Sequence, residues 1–188
     1  MKYSIATGPA FEPVTLVEAK AQLRVDHNDE DALIESLISV ARRKVESETG
    51  RLLAVQTVDV YYDEWPAEGY VPLPLHPAAS VTHVKYIDED GALQTWASTN
   101  YTSDLIGQTP RIVPNPDTSL PDLGEYPNAV QVRYTVGDST AGAIPEELKH
   151  AIKLTLTMLY ERREDMSLKD PGSRSSQWLA FNHRTNLV

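Results

Sequence analysis

The apolar residues of this chain change period twice, from helical spacing to alternation and back, and that order restricts the fold to helices interrupted by a β-rich insertion. Residues 15–25, TLVEAKAQLRV, open with a capping box, in which the Thr15 side chain accepts from the backbone three residues on while Glu18 reaches back. Leu16, Ala19, Leu23 and Val25 form the apolar side of this helix, which turns Lys20 and Arg24 to water, and Asp26-His27-Asn28-Asp29 breaks it. A second helix is expected from near Asp29, with acids where the helix dipole favours them, to Gly50, a residue suited to a left-handed cap. Leu33, Ile34, Leu37, Ile38, Ala41 and Val45 give it a wide apolar stripe, and Glu35, Arg42, Arg43 and Glu46 are assigned to the other side.

From Leu53 to Val136 the period is two. Val58, Val60 and Tyr62 alternate with polar residues, as do Val130, Val132, Tyr134 and Val136, so both segments read as half-buried strands. VTHVKYI (81–87) and ALQTW (92–96) flank Asp88-Glu89-Asp90-Gly91, whose Asp-Gly pair favours a tight hairpin. Segments 65–79 and 107–128 hold most of the prolines and are expected to be ordered loops outside the sheet interior. Helix returns at Ile144-Pro145-Glu146-Glu147, with proline in the first turn, and should run to about Arg163. This last helix is apolar on nearly every side, so more than one neighbour must bury it. Leu156, Met158, Tyr160 and Arg163 are therefore candidates for an interface between subunits. The whole pattern predicts an α+β fold. A helical pair (1–52) and a C-terminal helix (141–166) form a small bundle, an antiparallel β-rich insertion (53–140) lies between them, and an extended arm (167–188) follows.

Composition narrows the chemistry. The chain has no cysteine, which excludes disulfides and thiolate metal sites and fits synthesis in the cytoplasm. No apolar run approaches the roughly 20 residues that span a bilayer, so no membrane partner is expected. The five histidines form neither HExxH nor an i, i+4 pair, the acids of 26–31 and 88–90 lack the spacing of a calcium loop, and no GxSxG occurs. No catalytic residue, metal or cofactor is expected. A net charge of −10 disfavours gripping nucleic acid through its phosphates. The charge is uneven: residues 1–160 carry 12 basic against 23 acidic side chains, and 161–188 carry 5 against 4. Within 167–188, the polar stretch SLKDPGSRSS precedes Trp178, Leu179 and Phe181, with Arg184 just beyond, and large apolar residues on a terminal arm either dock onto a partner or pack back on the subunit's own helices.

TLVEAKAQLRVDHNDEDALIESLISVARRKVESETGR (15–51) resembles the N-terminal helical pair of the phage head-tail connector family, also called head completion or adaptor proteins. The resemblance rests on Thr15-Leu16, Glu18-Ala19-Lys20, Leu23, Asp26, Asp31, Leu33-Ile34, Leu37-Ile38, Ala41, Val45-Glu46 and Thr49-Gly50-Arg51 in one register. IPEELKHAIKLTLTMLYERRE (144–164) and WLAFNHR (178–184) are similar to the family's last helix and arginine-ended tail, while the β-rich insertion resembles only its longer members. The resemblance implies a structural virion protein, made in the host cytoplasm and not an enzyme. It implies a homo-oligomeric ring, commonly of twelve, that docks on the portal and extends the DNA channel without binding DNA specifically. A neck, stopper or tail completion protein would attach below. Trp178, Leu179, Phe181 and Arg184 then become candidate portal contacts. The alternatives are a head-closure or tail-joining subunit of the same neck and, from another class, a soluble hydrolase using acids of the β-rich region.

Overall fold

The structure is a computed structural model that describes residues 1–161. In chain order the elements are β1 (Lys2–Thr7), α1 (Leu16–Leu23), α2 (Asp31–Thr49), β2 (Gln56–Tyr62), β3 (Val71–Pro72), β4 (Ala78–Ile87), β5 (Leu93–Trp96), β6 (Tyr101–Asp104), β7 (Arg111–Pro114), β8 (Val130–Val136) and α3 (Glu146–Glu161). The fold is α+β, as the change of period predicts. It divides into a β unit, residues 1–9 and 55–137, and a helical unit whose described residues are 10–54 and 138–161.

In the helical unit the capping box forms: the Thr15 hydroxyl accepts from the Glu18 N–H at 3.2 Å, and Glu18 Oε2 accepts from the Thr15 N–H at 2.9 Å. α1 stops at Arg24, whose φ of 58° is left-handed, and α2 stops at Gly50 with φ 70°. Ala19 of α1, Ile34, Ile38, Ala41 and Val45 of α2, and Leu148, Ala151, Ile152 and Leu156 of α3 close one core with Val14, Leu53 and Ile144. Each of the larger side chains removed from water here contributes about 1.5–3 kcal/mol before entropy is counted.

Three charge assignments differ from the sequence expectation. Arg42 and Glu46 are buried, at 3% and 7% exposure, because they fall on the same helical face as Ile38, Val45 and Thr49. Lys20 is likewise drawn in, its ammonium 2.7 Å from Asp31 and 2.7 Å from Asn28. In each case a nearby partner of suitable charge or polarity offsets the cost of desolvation.

The β unit holds a five-stranded antiparallel sheet in the order β1-β2-β8-β4-β5 and a three-stranded one in the order β3-β7-β6. Residues 2–7, grouped by sequence with the helical pair, pair with β2 as the edge strand β1. The small sheet is drawn from segments expected to be loops. It tolerates Pro72 and Pro114 because each ends its strand, where a missing N–H breaks no interior rung. Val58, Val60, Val130, Val132 and Val136 make one face of the large sheet apolar and buried. From that face Tyr134 projects its hydroxyl to the Leu75 backbone, accepting from the N–H at 3.0 Å and donating to the carbonyl at 3.2 Å. Tyr62 likewise donates to the Pro72 carbonyl. Burial raises the pKa of both phenols, so they remain neutral donors.

The hairpin of 81–96 forms as expected. The Gly91 N–H donates to the Asp88 carbonyl at 3.0 Å, and Gly91 takes φ 79°, which only glycine adopts without strain. Segment 124–126 packs against this turn so closely that a Cβ on Gly124 would sit 2.4 Å from the Asp88 carbonyl oxygen. Gly124→Ala is expected to cost about 1–3 kcal/mol, read as a lower urea midpoint. Gly8→Ala, with nothing within 4 Å, should leave that midpoint in place.

Candidate assembly surfaces

Among the described residues no group of His, Cys, Asp or Glu is placed to hold a metal, and no helix is long and apolar enough to cross a membrane. What the molecule offers is surface. On α3 the three-helix core takes Leu148, Ala151, Ile152, Thr155 and Leu156, all buried. Leu154 and Met158, one turn apart, are left half-buried on the remaining side. Leu159 and Tyr160 rest on the core's margin, where the Tyr160 hydroxyl donates to Glu30. Of the sequence candidates for a subunit interface, Leu156 is therefore a core residue of its own unit, and Met158 and Tyr160 are partly accessible. Arg163 and the candidate portal contacts Trp178, Leu179, Phe181 and Arg184 lie outside the described residues.

The chain entering and leaving α2 is fixed by a buried ionic chain. Arg42 Nε donates to Glu12 at 2.8 Å and its Nη1 to Glu46 at 2.7 Å, while the other Glu46 oxygen accepts the Leu53 N–H at 2.9 Å. Burial raises the Glu46 pKa, opposed by the Leu53 N–H and by Arg42. Farther on, Arg51 pairs with Asp138 at 2.7 Å.

The second face of the large sheet is polar. Arg133 of β8 grips Asp59 of β2 with two bonds, of 2.8 and 2.7 Å, and His83 of β4 sits on Arg133's other flank. The Arg133 hydrogen bonds hold the Asp59 carboxyl below its ordinary pKa, and burial lowers that of His83. A carboxylate whose folded pKa is depressed contributes stability above its unfolded pKa and loses it as pH falls through the folded value. Asp59→Asn should consequently lose less stability than the parent between about pH 5 and pH 2 in thermal melts. At one end of this sheet lies an open, acid-lined groove of about 420 Å³, bounded by Asp63, Glu64, Leu123, Gly124, Glu125, Tyr126 and Pro127. The Asn128 N–H, 2.7 Å from Asp63, holds that carboxyl low, and the charge of Lys2 adds to it.

One surface went unread in the sequence. β1 is exposed at every position, with Tyr3 at 57% and Ile5 at 55%. The signal was present in the alternation of KYSIAT before Gly8-Pro9, a strand pattern ended by a breaker.

Three solved chains are similar to this one over its full length. A chain of "Virion of native gene transfer agent (GTA) particle" matches with a TM-score of 0.84 and 23% identity, covering 100% of this chain and 97% of its own. A chain of "Neck of empty GTA particle computed with C6 symmetry" matches at 0.83 and 22% identity, again over 100% and 97%. A chain of "Neck of native GTA particle computed with C12 symmetry" matches at 0.79 and 22% identity with the same coverage. At these identities the likeness is one of fold. No curated protein matches the chain. The family described as phage gp6-like head-tail connector protein matches residues 13–103, which takes in α1 and α2 and continues into the β unit beyond β5. Over residues 13–103 this chain thus carries the signature of the phage gp6-like head-tail connector proteins, the family that its first two helices resemble.

Proposed function

We propose that the chain is a non-enzymatic structural subunit of the neck of a phage-like particle, where copies of it form a ring of twelve between portal and tail. The observation that carries this reading is the coincidence of the connector signature over 13–103 with a fold shared end to end with chains of particle necks. The ring docks on the portal, continues its channel and offers a platform to a neck, stopper or tail completion protein. Subunits meet through the open side of α3, where Met158 and Tyr160, joined by Arg163, supply contacts and Leu156 supports them from the core. Trp178, Leu179, Phe181 and Arg184 engage the portal as aromatic anchors with a guanidinium beside them. The acidic body, at −10 net, suits a conduit that repels phosphate and binds no DNA tightly.

A position one layer lower, as a head-closure or tail-joining subunit, shares the fold but not the portal contact. Light scattering of the purified full chain, alone and after capture by immobilised portal rings, separates the two. The adaptor reading expects capture by portal at about twelve copies per ring. Rings that ignore the portal yet bind tail components would instead support the lower layer.

A further inference from the structure

The order β1-β2-β8-β4-β5 leaves the large sheet with two open edges, and nothing among the described residues pairs with the outer side of either. β1 is exposed along its whole length, and so are residues 89–95, the turn and first three positions of β5. Tyr3 and Ile5 pair with Val58 and Val60, which are fully buried, yet both stand more than half exposed. The apolar face of the sheet therefore runs past what its own unit covers. We infer that β1 of one copy seats along β5 of the next, joining the five-stranded sheets edge to edge and head to tail around the ring. This inference rests on the ring reading above and names a seam for it.

Register, direction and charge all point to β5 as the occupant. Tyr3, Val60, Val132, Val84 and Trp96 form one row across the apolar face, and Lys2, Tyr61, Gln131, Lys85 and Thr95 form one row across the polar face. A neighbour placed with its Tyr3 beside Trp96 continues the first row with an aromatic pair, and its Lys2 then falls beside Thr95. At this register Lys2 and Tyr3 lie against β5, and Ser4 and Ile5 run on past Trp96. Each neighbouring pair in the sheet is antiparallel, so β1 and β5 run the same way and the seam is parallel. Met1 then falls beside Gln94, so the amino end of β1 points toward the β4–β5 turn. Lys2 is the one charged residue of β1, whereas the turn carries Asp88, Glu89 and Asp90, so the two edges are opposite in sign. Among the described residues of its own copy, Lys2 donates to the neutral Asn128 oxygen, at 3.4 Å, and adds its charge to the field on Asp63. A closed ring requires a contact between two different patches of the subunit, and two unlike edges supply one. Pairing of β1 with β1 would be two-fold and would stop at a dimer.

The chain has no cysteine, so engineered thiols report the seam without background. The experiment compares full-length Lys2→Cys, Thr95→Cys and the double variant, each treated with a short bis-maleimide and run on denaturing gels, with light scattering in parallel. Joined edges give a ladder past the dimer in the double variant and monomer in each single one. Adding Tyr3→Lys and Ile5→Lys should cut that ladder at least tenfold without moving the melting temperature, since both side chains are exposed. Rings by light scattering with no ladder would overturn the seam and leave the ring reading standing. Dimers as the end product of Lys2→Cys alone would replace it with two-fold pairing. A chain that forms neither ladder nor multimer would remove both.

Discussion

Cutting the chain after Arg174 should abolish attachment to the portal while leaving the melting temperature unchanged. Among the described residues, the buried side chains of the helical core, from Val14 to Leu156, and the strands of the β unit all lie before the cut, which leaves these contacts in place. What it removes is Trp178, Leu179, Phe181 and Arg184. Aromatic and arginine anchors of this kind commonly cost about 2 kcal/mol or more each when truncated. Because the subunits of a ring bind together, the loss compounds through effective concentration, and portal capture should fall by more than about a hundredfold. The measurement is binding of the truncated chain to immobilised portal, with a thermal melt of the same sample. Retained capture would refute the anchor assignment. A lowered melting temperature would instead place Trp178 and Phe181 in the subunit's own core.

The largest expected loss of stability follows Arg42→Ala. The guanidinium holds Glu12 at 2.8 Å and Glu46 at 2.7 Å, and Glu46 is 7% exposed. Removing the cation strands a buried carboxylate with the Leu53 N–H as its remaining hydrogen-bond donor, a change that commonly costs about 3–5 kcal/mol. Arg42→Met with Glu46→Gln should recover much of that loss, because the amide oxygen still accepts from Leu53 and no charge is left buried. The sign of the pH dependence also follows. Glu46's folded pKa is already raised by burial, so its favourable contribution is complete below the ordinary glutamate value and fades as pH rises through the folded one. Without Arg42 that pKa climbs further. The deficit of Arg42→Ala should therefore be larger at pH 7 than near pH 4 in urea titrations, and an equal deficit at both would contradict the burial of this charge pair.

Local chemistry was the most legible part of the sequence. The Thr15 capping box, the Gly50 stop and the Asp88–Gly91 turn are each made by residues a few positions apart, so their signals need no knowledge of the rest of the chain. The α+β division was readable for a similar reason, since period reports which face is buried. Long-range pairing was not. The sequence carries the charges of Glu12 and Arg42 but not the fact that the chain folds Glu12 back on α2, so Arg42 was assigned to water. β1 is hard to read from the sequence because a six-residue strand far from its partner β2 has only its own alternation to announce it. The small sheet hid among prolines that its short strands accommodate at their ends. On α3 the all-round apolarity of the sequence does not separate core from surface, and only the packed core distinguishes Leu156, fully covered within its own unit, from Met158, half open.

The most direct test of the neck-ring account is cryo-electron microscopy of particles assembled with this chain carrying a small folded tag in the Asp104–Arg111 loop. The account predicts a ring of twelve copies directly beneath the portal, each with density for its tag. Complete particles in which that layer is built from another protein, with the tag absent or elsewhere in the virion, would contradict it.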